Sequence, residues 1–583
     1  MANLNYYFSK TTRTMVPLNR WDVAALCLIF GAIALLAIGT KQMAAPYSLG
    51  QALPISLAPS YLPDYALRSV LRMFFALFFA FLFTFTVGTW AAKSKRAERF
   101  LVPMIDILQS VPILGVMSIT IVGFIALFHG SLLGPECAAI FAVFFSQVWN
   151  MTLSFYQSLR TVPGDLLEAA AMLHLSPWQR FWRIEVPFSM PALLWNTMMS
   201  MSGSWFFVVA SEAISVSNQE IKLPGIGSYI ALAIQNANGW AVVYAILAML
   251  IVILLYDQLL FRPLVQWAEK FKTDGGSSQD IGASWVTRVL QRTYALQYFF
   301  HFFSYLAEIW VNFPLFRHKL VTAKPKKPQV NHFFAKFSEI LVFIAVVVAI
   351  TALVTFILKN ITIPEVLHVF VLGFCTALRV IAVIIICSVI WVPIGVWIGM
   401  RPDVARIAQP IVQFLAAFPA YLLFPVVVIL IVKFSLNVEI WVTPLLILGT
   451  QWYVLFNVVA GTMAIPKELH LAAANMGVRG LLRWRRLILP AIFPYYITGA
   501  ITAGGGAWNT SVVAEVVSWG STTLTATGLG AYISHYTATG NMPHIALGIG
   551  VMSLLVVLLN RLFWRPLYRT AISRYRLEMG VSG

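Results

Sequence analysis

The chain has 583 residues, 60% of them hydrophobic and only 11% charged, with a mean hydropathy of +0.80. So little charge cannot cover a soluble protein of this length, and apolar runs long enough to cross about 30 Å of hydrocarbon recur throughout, which reads as an all-α polytopic membrane protein. The formal charge of +18 does not imply a nucleic-acid partner, because no basic groove interleaved with aromatics is present and the cations gather on one side of the predicted topology.

In chain order, the opening segment MANLNYYFSKTTRTMVPLNR is polar and basic. The apolar run after it, 22–40, lacks a small-residue cleavage pattern and reads as a retained helix rather than a signal peptide. Further spans are predicted at 66–91, 104–128, 136–158, 191–212 and 239–260, with Lys93, Lys95, Arg96 and Arg99 in one cytoplasmic loop. Residues 265–336 change character. KTDGGSSQD (272–280) is a flexible stretch and TAKPKKPQ (322–329) is basic and Pro-rich. Between them, His301 and Glu308 argue that the aromatic segment 294–316 lies in the membrane interface rather than across it. Spans are then predicted at 337–358, 369–399, 411–433, 439–461, 494–516 and 543–563, with Arg479, Arg483, Arg485 and Arg486 in a loop. Six spans per half put both termini and the linker on the basic, cytoplasmic side. Lys41, Lys222, Lys359 and Lys433 fall opposite, and Arg68, Arg72 and Arg379 sit near helix starts. Cys27, Cys137, Cys375 and Cys387 are scattered and lack metal-ligand spacing.

The halves repeat each other. A shift of 303 residues aligns Trp149 with Trp452, Pro163 with Pro466, Pro187 with Pro490, Trp205 with Trp508 and Glu212 with Glu515. Gly225 and Gly227 meet Gly528 and Gly530 at the same shift. Upstream, Pro103 and Pro112 match Pro410 and Pro419 at 307, and Arg68 is aligned with Arg379 at 311. An even number of spans per half makes the repeats parallel, about an axis along the membrane normal. The predicted division is a first repeat at 1–264, a linker at 265–336 and a second repeat at 337–583.

Between the fourth and fifth spans of each half lie EAAAMLHLSPWQRFWRIEVP (168–187) and LAAANMGVRGLLRWRRLILP (471–490). Both resemble the signature loop of binding-protein-dependent ABC importer permeases: E-A-A, three residues, G, nine residues, I-x-L-P. LVPMIDILQSVPILG (101–115), the W-x6-E pattern, the glycine triplets at 225–227 and 528–530 and LNRLFWRPLYR (559–569) resemble the nitrate, sulfonate, taurine and bicarbonate subgroup in a duplicated, fused form. The resemblance implies a type I importer permease fold in which each loop forms a short coupling helix. Those helices would dock on two ABC ATPase subunits at the cytoplasmic side of a bacterial inner membrane. It also implies a periplasmic or extracellular substrate-binding protein, with ATP and Mg used by the ATPase and no cofactor or metal bound by this chain. The coupling residues it implies are Glu168, Ala169, Ala170, His174 and Pro187, and Leu471, Ala472, Ala473, Gly477 and Pro490. Alanine brings little bulk to a docking helix, and the prolines are expected to end or redirect the chain before the next span. His174 stands where the family has glycine, and Leu471 where it has glutamate, with Glu468 one turn earlier. The two elements are therefore expected to dock differently.

Pathway or gate candidates are Arg68, Arg379, Glu212 and Glu515 at the outer ends of spans. Asp106 and Gln109, with Gln413 in the second half, lie in a Pro-bracketed segment where a broken helix could line a cavity. For the two glutamates a structural ion pair is the competing reading. No Gly-Lys dipeptide occurs, so the chain has no P-loop and hydrolysis has to come from another subunit. A secondary transporter or channel that runs without ATP is the alternative.

Overall fold

A backbone in hydrocarbon has no water to bond with, so each apolar run satisfies its own N–H and C=O groups as a helix. The computed structural model describes residues 20–47, 53–109, 111–216, 219–269, 293–313, 344, 347–348 and 350–575. The predicted opening segment and most of the linker lie outside these residues, as does the start of the span predicted at 337–358.

The first-half helices are α1 (Arg20–Met43), α2 (Pro59–Lys93), α3 (Lys95–Leu108), α4 (Ile113–Leu127) and α5 (Leu133–Arg160). They continue with α6 (Gly164–Met172), α7 (177–212), α8 (Ile226–Gln235) and α9 (Gly239–Ala268). The linker contributes α10 (Tyr294–Val311). The second half has α11 (Ile350–Asn360), α12 (Ile363–Gly399), α13 (Pro402–Ala417), α14 (Ala420–Lys433), α15 (Val438–Met463) and α16 (Lys467–Asn475). It ends with α17 (Gly480–Ala514), α18 (Leu529–Thr539) and α19 (Met542–Ala571). Among the described residues, 7 helices are long and apolar enough to cross a membrane, or up to 8 when the bent pair 411–417 and 420–433 counts as one.

Two predicted spans are broken. The run 104–128 divides at Gln109–Pro112 into α3 and α4, and 411–433 bends by 81° between α13 and α14. Proline lacks the N–H that would continue the ladder and pushes the residue before it out of the helical region. The two breaks match in detail: Pro112 has φ −67° and ψ 115°, Pro419 φ −68° and ψ 113°.

Elsewhere proline does not end the helix, contrary to the expectation for Pro187 and Pro490. Helix α7 runs on through Pro187 and α17 through Pro490. A five-residue π-turn precedes each, Phe181–Glu185 and Trp484–Ile488. The wider turn re-routes the bonds that the proline cannot make. The same device precedes Pro263 and Pro566, as Asp257–Phe261 and Asn560–Trp564.

After α7 and α17 the chain forms two antiparallel hairpins that the sequence reading missed. Strand β1 (Ala213–Val216) pairs with β2 (Gln219–Lys222), with Ala213 opposite Lys222. Strand β3 (Val516–Trp519) pairs with β4 (Thr522–Thr525), with Val516 opposite Thr525.

The chain divides into two compact units. The smaller draws on residues within 1–41, 161–191 and 256–322, the larger on residues within 42–160, 192–255 and 323–583. Inside the larger unit both repeats share one core: Leu114 and Phe206 belong to the same buried cluster as Trp508, Ile533 and Ile549. There the N–H of Ile113, freed by the break before α4, donates to Asn509 Oδ1 at 2.8 Å. Gly115 lies so close to Ile549 that a Cβ would come within 2.8 Å of its side chain. Trp195 and Phe456 face each other at 5.6 Å.

Candidate coupling helices and buried ion clusters

The first candidate coupling helix, α6, starts after Pro163, whose fixed φ suits the position before a helix, and ends in a left-handed residue. At its end Leu173 N–H donates to Ala169 C=O at 3.0 Å, His174 to Ala171 at 3.0 Å and Leu175 to Ala170 at 3.1 Å. Helix α16 repeats this after Pro466: Met476 donates to Ala472 at 3.0 Å, Gly477 to Ala474 at 3.0 Å and Val478 to Ala473 at 2.9 Å. His174 has φ +49° and Gly477 φ +70°, so the motif's glycine position is the left-handed cap of each short helix. A side chain there costs about 1–2 kcal/mol.

Exposure refines the coupling candidates. Glu168 and Ala169 face outward, but Ala170 is buried, so its small size serves packing within the chain rather than approach to a partner. In α16, Leu471 and Ala472 are exposed and Ala473 is half-buried. The apolar side chains that protrude most at the ends of these two helices were not singled out from sequence: Met172 is 79% exposed, Leu173 70% and Met476 80%. The available signal was an apolar residue just before the cap of a short helix in a polar loop, paired as Met172 and Leu173 in the first half and single as Met476 in the second. Pro187 and Pro490 lie inside α7 and α17, past the π-turns.

Behind α16, Arg483 Nη2 lies 3.2 Å from His470 Nδ1. Burial, followed by the Arg483 charge, lowers the His470 pKa from its ordinary value. The corresponding arginine of the first half, Arg180, instead donates to Glu185 Oε1 at 2.9 Å.

The glutamates that end α7 and α17 lie in two ion clusters inside the larger unit. Arg72 donates Nε to Glu136 Oε2 at 2.6 Å and Nη2 to Glu136 Oε1 at 2.7 Å. Its Nη1 reaches Glu212 Oε1 at 2.6 Å, and Nη2 also reaches the Pro224 carbonyl at 2.9 Å. Ser69 Oγ donates to Glu212 Oε1 at 2.5 Å, and Gly227 N–H donates to Glu212 Oε2 at 2.6 Å. In the second cluster Arg379 donates Nη1 to Glu515 Oε1 at 2.5 Å and Nη2 to Glu439 Oε2 at 2.9 Å. Thr376 Oγ1 donates to Glu515 Oε1 at 2.9 Å.

These contacts correct the alignment of the arginines. Arg72, not Arg68, is the counterpart of Arg379, at the shift of 307 that also relates Pro112 to Pro419. Arg68 pairs with Asp64 one helical turn away, at 3.2 Å. Glu136 and Glu439, neither of them a sequence candidate, complete the clusters. A further turn of arithmetic would have found them, since they match at the same 303 as the glutamates 212 and 515.

The clusters also explain the glycine triplets. A Cβ on Gly225 would fall on the Glu212 carboxylate, and one on Gly227 on the Val209 carbonyl oxygen. Gly528 and Gly530 stand in the same relation to Glu515 and the Ser511 carbonyl. Glu212 and Glu515 are thus consumed in holding each hairpin and the helix after it, and they leave no face for a solute. Of the remaining pathway candidates, Gln109 caps α3 through its N–H, while the Asp106 side chain lies outside what the structure describes. Gln413 Nε2 sits 2.6 Å from the Met198 sulfur of the other half.

Two tandem copies of one polytopic helical plan define a duplicated membrane permease. The pattern of the binding-protein-dependent transport system inner membrane component matches residues 84–262 and 391–565, and the chain belongs to that family of ABC transporter permeases. It is similar to the bicarbonate transport system permease protein CmpB of Synechocystis sp., 26% identical over 99 residues, which are 17% of this chain and 34% of that protein. It is similar to the glycine betaine/proline betaine permease protein ProW of Escherichia coli, 27% identical over 143 residues, 24% of this chain and 38% of the relative. The nitrate import permease protein NrtB of Leptolyngbya laminosa is 26% identical over 157 residues, 27% of this chain and 51% of the relative. The chain thus spans between about a third and a half of the length of these relatives.

Proposed function

We propose that this chain forms the membrane pathway of an importer driven by two separate ABC ATPase subunits, which dock on α6 and α16. Both termini and the linker face the cytoplasm of a bacterial inner membrane, and the repeats are bounded at 1–264 and 337–583. ATP and Mg act on the partner subunits, and a soluble binding protein delivers the solute from the opposite side. Two of the similar permeases carry bicarbonate or nitrate in their names, and this favours a small anion, with sulfonates and taurine in the same class. The solute passes between the repeats, where Asp106, Gln109 and Gln413 are the lining candidates.

The observation that carries this reading is the pair of coupling helices. Each is nine residues long and ends in the same left-handed cap with protruding apolar side chains. A helix presenting an apolar tip fits a groove on a partner. The test is association of the purified full chain with P-loop ABC ATPase subunits from the same organism. Met172→Asp with Leu173→Asp, or Met476→Asp, is expected to weaken binding at least tenfold, as loss of a central apolar contact does. Unchanged binding in both variants overturns the reading.

A further inference from the structure

The segment after the first coupling helix is held by the linker. Both lie in the smaller unit. Asn312, just past the end of α10, accepts through its Oδ1 from Gln179 Nε2 at 3.1 Å and from Arg183 Nη2 at 3.2 Å. Next to it, Trp178 Nε1 donates to the Trp310 carbonyl at 3.1 Å, and the two indoles meet edge to face at 5.5 Å. One amide oxygen thus ties together two positions four residues apart on the π-turned start of α7. Ser176 caps that start in a reciprocal arrangement with Gln179.

The second half cannot make this connection. At the shift of 303, Leu481 and Leu482 replace Trp178 and Gln179, so the indole and amide donors are gone. Leu481 is 84% exposed. Asn312 and Trp310 also lie outside both stretches that match the permease family.

Building on the motor-docking reading above, we infer that Asn312 is a positioning residue for the first coupling helix, and that α10 makes that helix the stiffer of the two couplings. The groups behind α6 are held from outside the repeat, whereas behind α16 the described side-chain hydrogen bond is that between Arg483 and His470, with Leu469 and Trp484 packed on the core that the repeats themselves build. The two ATPase contacts are then mechanically unequal although their helices share one geometry.

Hydrogen–deuterium exchange on the full chain in lipid nanodiscs, without any ATPase, tests this separately from docking. Asn312→Ala is expected to speed exchange of amides in 164–183 severalfold and leave 467–486 unchanged. Asn312→Asp keeps the accepting oxygen and adds charge toward Arg183, so it is expected to retain the wild-type protection. Gln179→Leu with Trp178→Leu, which copies the second half, is expected to reproduce the Asn312→Ala pattern. Equal exchange in Asn312→Ala and wild type overturns the inference, as does a loss of protection shared by both coupling regions. Loss of protection in Asn312→Asp equal to that in Asn312→Ala overturns it too, since the oxygen would then not be the working atom. If ATPase association fails while this exchange pattern holds, the motor reading falls and the positioning role stands.

Discussion

The two ion clusters use the same parts and differ in one surface. Around Arg72 both carboxylates are fully buried, and Glu136 is gripped by two parallel bonds. Around Arg379, Glu515 is buried but the Glu439 side chain is 46% exposed and also accepts from Thr527 N–H at 2.7 Å and Thr527 Oγ1 at 2.8 Å. The first cluster is sealed, while the second is half-open to its surroundings. Removing one partner from a buried ion cluster leaves an uncompensated charge, whereas at an exposed site water takes the partner's place. Sequence-equivalent residues should therefore carry unequal weight.

The largest expected effect separates the clusters directly. Arg72→Met strands two buried carboxylates and should cost about 3–5 kcal/mol, read as loss of monodisperse protein in detergent and a lower thermal midpoint. Arg379→Met should cost less, because Glu439 keeps its other bonds and its exposure. Equal midpoints for the two variants would break the comparison. Next, Glu136→Gln should destabilise by about 1–3 kcal/mol, since it replaces a charged acceptor in a dry site. Glu439→Gln should stay within about 1 kcal/mol.

The halves differ in the same direction at two helix caps. His174 and Ala237 take φ +49° in the first half, where the second half has Gly477 and Gly540 at φ +70° and +74°. His174→Gly or Ala237→Gly should therefore stabilise by about 1 kcal/mol, less the chain entropy glycine adds to the unfolded state, and Gly477→Ala should destabilise by a similar amount. Thermal midpoints of the three variants measured together provide the check.

The smallest effect concerns pH. The folded state lowers the His470 pKa, so the unfolded chain takes up the proton first. The contribution of the neutral His470–Arg483 contact is present above the ordinary histidine range and is lost as pH falls through it. The midpoint difference between wild type and His470→Leu should shrink between pH 8 and pH 5.5, and a difference that grows would reverse the sign assigned here.

Hydropathy and the 303-residue repeat made the polytopic class and the duplication readable, because lipid imposes apolar runs whatever the tertiary detail. The short helices of the signature loops were readable for a related reason: a short helix between fixed prolines is encoded locally, and the glycine position marks its left-handed cap. Proline itself was ambiguous. Pro112 and Pro419 break the chain while Pro187 and Pro490 ride inside helices, and the difference lies in the preceding five residues, which widen into a π-turn only before the latter pair. Local sequence offers both outcomes, and the surrounding packing selects one.

What the sequence alone determined was a duplicated helical permease with a short Pro-led helix in the matching loop of each half, because periodicity, apolar length and turn chemistry act between neighbours in the chain. Only the tertiary structure decided that Arg72 rather than Arg68 answers Arg379, that Ala170 faces inward, and that Asn312 reaches back to Gln179 and Arg183. Each of those depends on which side chain meets which across a fold: the partners are up to 140 positions apart, and a shift of one helical turn changes the partner while leaving the sequence pattern intact.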